Sequence, residues 1–160
     1  MSEYKKIALT AATFLLLTLM AALPAAAGAE PQLGTPDGWQ RGGLKSVSFS
    51  AVSGNQGFWL ERDYRTADGV PLRAILMGGK GPAMMRAPVP GVQSDDGLLG
   101  AGRAYSTFTL CGFPALLERD QFLGLSLAVL VPGAVLTVET PPGPADDEVA
   151  DIARALLRLM

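Results

Sequence analysis

Four sulfur-bearing residues, Met77, Met84, Met85 and Cys111, are the first candidates for chemistry in this chain of 160 residues. Thioether and thiolate sulfur are soft donors that suit Cu(I). The methionines follow no repeated motif and the chain has no His, so a second reading, in which they cover apolar surface, stands beside the first. Carboxylates two apart on a strand share a face, so Glu61 with Asp63, or Glu118 with Asp120, could project together as acid and base. Asp95 and Asp96 form a third pair. The neighbouring Arg65, Arg73 and Arg119 assign the first and second pairs instead to the wet side of a strand. No Gly-x-Ser-x-Gly occurs, which removes one common serine-nucleophile signature.

Cys111 has no internal partner for a disulfide and no His to activate its thiolate. The reading of its residue type is therefore a buried small apolar side chain. Gly78-Gly79-Lys80-Gly81 lacks the spacing of a phosphate-cradling loop, because Gly81 and Pro82 follow the Lys where Ser or Thr should open a helix. It reads as a turn. The stretch from Gly78 to Gly102 contains seven Gly and three Pro in 25 residues. Loops of that length inside compact domains are uncommon and often functional. Met84, Met85, Arg86, Asp95 and Asp96 on it are the candidate binding surface.

These residues need a scaffold. Lys5 and Lys6, the largely apolar run Ile7 to Leu23, and Pro24 followed by Ala25 to Ala29 read as a secretory signal peptide cut before Glu30. An uncleaved segment would be the chain's one route to a membrane. Residues 30–160 carry eleven Lys plus Arg against fourteen Asp plus Glu, a net charge of −3. With nine Arg and two Lys scattered among acids, nucleic acid is excluded as an expected partner. Residues 30–160 number 131, the size of a single core.

Residues 30–43 have the Pro and Gly composition of a connecting arm, with Trp39 as its pin to the domain. Lys45 to Ala51 alternates and reads as a half-buried strand with Val47, Phe49 and Ala51 inward. After a turn cluster from Ser53 to Gly57, Phe58–Thr66 and Val70–Met77 flank Ala67-Asp68-Gly69, a hairpin signal. A three-residue loop with Gly69 left-handed pairs Tyr64 with Leu72, Leu60 with Leu76 and Asp63 with Arg73, which matches apolar to apolar and acid to base. Arg62 falls on the apolar face and must reach its rim or meet a carboxylate. Further strands are expected at Ala104–Leu110, Ala115–Gln121, Leu125–Val131 and Val135–Thr140, the third of them apolar enough to be central. Asp146, Asp147 and Glu148 then open a helix with the stripe Val149, Ile152, Ala153, Leu156 and Leu159 or Met160.

From Thr107 to Leu157 the order is strand, Gly112-Phe113-Pro114-Ala115, strand, a hairpin ending in Val135-Leu136-Thr137-Val138-Glu139, and a closing amphipathic helix. This order resembles the C-terminal half of small exported α+β domains, the Mog1/PsbP-like group and the extracellular domain of some anti-sigma factors. The resemblance implies an antiparallel sheet with helix packing and a non-enzymatic, partner-contacting role.

The expectation is an α+β domain over residues 44–160, with a largely antiparallel sheet of six to seven strands and the C-terminal helix on one face. The expected role is a non-catalytic binding or protein-interaction domain, exported to the periplasm or cell exterior, without a cofactor. Its partner would be another envelope protein or a small ligand. The alternatives are a small-ligand or Cu(I) carrier using the 78–102 loop and, third, a hydrolase.

Overall fold

The structure is a computed structural model, and it describes residues 32–95 and 103–160. The segment read as a signal peptide and Asp96 lie outside the described residues. Gln32–Met160 form one compact unit. The elements are β1 (Gln40–Ala51), β2 (Gly54–Arg65), β3 (Pro71–Gly79), α1 (Lys80–Ala83), β4 (Gln93–Asp95), β5 (Arg103–Leu110), β6 (Phe113–Asp120), β7 (Gly124–Val131), β8 (Ala134–Thr140) and α2 (Asp146–Leu157).

All eight strands form one antiparallel sheet in the order β1-β2-β3-β8-β7-β6-β5-β4. Eight strands stand where six to seven were expected, because β4 forms inside the stretch read as one long loop. Two consecutive meanders, β1 to β3 and β4 to β8, are joined by the β3–β8 pairing. The sheet's two faces differ in cover. On one face Leu60, Leu72, Ala74, Leu76, Leu127, Val129, Leu136 and Val138 pack with Val149, Ile152, Ala153 and Leu156 of α2 in a single core. A helix of 12 residues is about 18 Å long, whereas eight strands span roughly 34 Å, so α2 cannot cover the whole face.

That mismatch corrects the reading of β1. All twelve of its residues are exposed, and Val47 pairs with Trp59, not with a residue of the core face. Alternate residues of a strand face opposite ways, so Val47 and Phe49 lie on the side away from α2, on an edge strand that α2 does not reach. β1 also begins at Gln40, inside the stretch assigned to the arm. Gly42 and Gly43 fall at a register shift between Arg41 and Leu44, where the chain uses them as a bulge. The turn after β1 is only Val52-Ser53, and Gly54 to Gly57 already belong to β2.

The hairpin register is the one argued from side-chain matching: Tyr64 opposite Leu72, Leu60 opposite Leu76, Asp63 opposite Arg73. Gly69 closes it with a φ of 90°, in the left-handed region that glycine occupies without strain. Among the described residues Arg62 meets no carboxylate. It donates instead to the carbonyl of Leu33, 2.7 Å away, while Trp39 sets its ring edge-on to Tyr64 at 5.9 Å. Leu33 itself is buried, so the arm is pinned by a core leucine as well as by Trp39.

Candidate functional site

The sheet face opposite α2 carries the functional candidates. Read across the strands by register, one row runs Asp63, Arg73, Glu139, Ser126, Glu118, Tyr105. It is knit by charge. Arg73 pairs with Asp63 at 3.1 Å and with Glu61 at 3.5 Å, and Lys45 closes on Glu61 at 2.7 Å. At the other end Arg103 meets Asp120 at 3.0 Å and Glu118 at 3.4 Å.

A groove of about 370 Å³ lies there, lined by Glu118, Asp120, Ser126 and Glu139 among others. This brings together the second carboxylate pair named from sequence, and its chemistry is fixed by its partners. Asp120 accepts the backbone amides of Leu123 and Phe122 at 3.0 and 2.8 Å. Those two bonds, with Arg103, hold its carboxyl below the usual carboxylate range, because each favours the charged form. A carboxylate committed in that way latches the β6–β7 turn and has no proton to give near neutrality. Glu61 is likewise buried between Lys45 and Arg73. Both pairs hold strands together.

One end of the same face is apolar. Val47, Trp59, Met77 and Val135 form a row across β1, β2, β3 and β8, and Phe49 lies beside it. Val47, Phe49 and Met77 remain 45, 48 and 37 % exposed. Within the single turn α1, Lys80 opens a helix of four residues that rests against the ends of β2, β3 and β8. Met84 and Met85 follow it, exposed, as is Arg86. Gly78 and Gly79 are strand residues, not a loop, and Gly78 pairs with Phe58 on the core face.

The chain then has to pass β8, β7, β6 and β5 to place β4 at the far edge of the sheet. Thr107 of β5 receives it. Its hydroxyl donates to the carbonyl of Val89 at 2.5 Å and accepts from the amide of Val92 at 3.0 Å. Its backbone bonds Gly91 and Val92 at 2.7 and 2.9 Å. Nothing in the sequence singled out Thr107, whose type is ordinary in a strand and whose role depends on a non-local partner. Of Asp95 only the backbone pairing with Ala104 is described.

The sulfur set is not brought together. Cys111 sits in the β5–β6 turn, and β8 and β7 separate β6 from Met77 on β3. Three strand spacings are about 14 Å, far beyond a shared coordination sphere. Cys111 is exposed, contrary to the burial expected of its type. With φ of 53° at Cys111 and 85° at Gly112, these residues form the two-residue turn with both central φ positive that hairpins favour.

Two further grooves border α2. One, of about 390 Å³, is lined by Gln93, Ser94, Tyr105 and the ion-paired Arg119 and Asp146. The other, of about 350 Å³, sets Trp39 beside Asp68, Asp147, Glu148 and Asp151. Among the described residues no helix is long and apolar enough to cross a membrane, and no group of three or more His, Cys, Asp or Glu is placed to hold a metal ion. No protein-family model, no curated protein and no solved structure matches this chain.

Proposed function

We propose that this chain is an exported, non-catalytic interaction domain of the periplasm or cell envelope, docking another envelope protein on the sheet face opposite α2. The observation that carries this reading is the exposure of Val47, Phe49 and Met77 on that face; Met84 and Met85, which follow β3 and α1 in the chain, are exposed too. Contiguous apolar surface on a folded domain marks a binding site more often than an accident of composition. The charged row beside it supplies the polar border such interfaces carry. The order of elements from Thr107 to Leu157, resembling small exported partner-contacting domains, agrees with it.

The test is photo-crosslinking in the living cell, with the reactive group at Met84 and, as control, at Arg158 beyond the end of α2. The expected result is a discrete adduct with one envelope protein from position 84, lost on Met77→Ser. Equal, diffuse labelling from both positions would count against the reading.

A further inference from the structure

We propose that the edge of β1 that no strand among the described residues covers is a homodimer seam, on which β1 of a second copy pairs antiparallel about a two-fold axis through Val47. This concerns the edge of the sheet and stands whether or not its face binds another protein. The direction of the backbone groups comes first. Thr66 donates its amide to the carbonyl of Val70 at 2.9 Å. Antiparallel ladders alternate strictly, so the even residues of β2, Leu60 and Phe58 among them, direct their N–H and C=O to β3, and the odd ones direct theirs to β1. Glu61 and Trp59 are opposite Lys45 and Val47. Lys45 and Val47 therefore point inward, and Ser46 and Ser48 carry backbone donors and acceptors that face away from the sheet.

An edge of this kind is normally blunted by short length, proline, free charge or a bulge, and the bulges of β1 lie outside its regular span from Leu44 to Phe49. The opposite edge, β4, has three residues. β1 has twelve, with no proline. Its one central charge, Lys45, is drawn onto Glu61 at 2.7 Å. From Ser46 to Val52 the chain carries no charge at all.

The register follows from the bulges. Shifts in the β1–β2 ladder lie between Arg41 and Leu44 and between Phe49 and Ser50, so only Leu44 to Phe49 is regular. The outward residues must face each other for hydrogen bonding. Centring on Val47 sets Ser46 opposite Ser48 of the second copy and uses regular strand alone. Val47 then meets Val47 on the axis, at the close spacing of a non-hydrogen-bonded pair, and the stem of Lys45 lies against Phe49 of the other copy. Centring on Ser48 would carry the pairing through the bulge. Centring on Ser46 would set Val47 against Lys45. The apolar row Val135, Met77, Trp59, Val47 then runs unbroken into the second copy.

The test uses the full chain as processed by the expressing cell, in a Cys111→Ser background. Sedimentation across a concentration series should give twice the chain mass. Val47→Cys should close a disulfide between copies under mild oxidant, because the paired Cα spacing lies within disulfide reach, whereas Ser53→Cys should not. Ser48→Pro removes an outward N–H that an edge strand does not need for its own fold, so it should give a monomer with an unchanged circular dichroism spectrum. A monomeric parent, a dimer that survives Ser48→Pro, or a Val47→Cys that closes no faster than Ser53→Cys would each overturn the proposal.

Discussion

Tyr64 donates its hydroxyl to the carbonyl of Gly34 across 2.6 Å, and to that of Leu33 at 3.1 Å. One phenol thereby fixes a stretch thirty residues earlier in the chain against the second strand. Tyr64→Phe should cost about 1–2 kcal/mol in urea unfolding, the cost of leaving a buried acceptor unmet. Burial also pushes the phenol above its ordinary value. A raised value in the folded state means that the stability tied to the neutral phenol is complete below about pH 10 and is lost as the pH climbs through the folded-state value. The parent should therefore weaken more steeply than Tyr64→Phe on the alkaline side, and parallel curves would contradict this.

Gly124 opens β7 with a φ of 100°, and a Cβ built there would lie 2.1 Å from the carbonyl oxygen of Thr140 and 2.5 Å from the carbonyl carbon of Pro141. The obstacle is backbone and cannot swing aside. Gly124→Ala should destabilise by about 3 kcal/mol, combining strain with overpacking. A thermal melt shows this directly. The same change at Gly81, where a Cβ would meet open space, should leave the melting temperature nearly unmoved.

Asp120 bonds two amides of its own turn, and the carboxyl they hold below its ordinary range sets the sign of a pH effect. A depressed carboxyl contributes stability that is present above its unfolded value near 3.9 and is lost as the pH falls through the folded value. Asp120→Ala should be less stable than the parent at pH 7, and the gap should close in strong acid. A gap independent of pH would show that the side chain acts by packing alone.

Cys111 occupies a left-handed conformation that suits Asn or Gly better than Cys. Cys111→Asn should raise stability by up to about 1 kcal/mol, measured as a shift in denaturant midpoint at constant slope. A loss of stability would mean that the exposed thiol makes a contact the turn geometry does not reveal.

The β2–β3 hairpin was legible because its information is local: an Asp-Gly turn and side chains that match in only one register. The α2 stripe was legible for the same reason: Val149, Ile152, Ala153 and Leu156 are all buried, whereas Leu159 and Met160, expected to continue it, lie past the helix end and are exposed. β1 was misread because alternation shows that a strand has two unlike faces but not which one is covered, and the answer lay in the face on which a helix a hundred residues later packs. β4 escaped because three residues carry no periodicity. Cys111 was misplaced because residue type speaks for burial, while turn geometry outranked it. Glu118 and Asp120 read from sequence as the wet side of a strand, yet Asp120 is buried, and its role rests on backbone amides and an arginine that only the fold brings to it.

The pairing of β3 with β8 has a consequence in time. Each meander is built from neighbours in sequence and can zip up locally, but β3 must hold an unfilled edge until the last strand of the chain arrives, and only then can α2 fold down over the seam. Loop closure over so long a stretch is paid late. A chain emerging N-terminus first therefore cannot complete its sheet until the strand ending at Thr140 has cleared the exit.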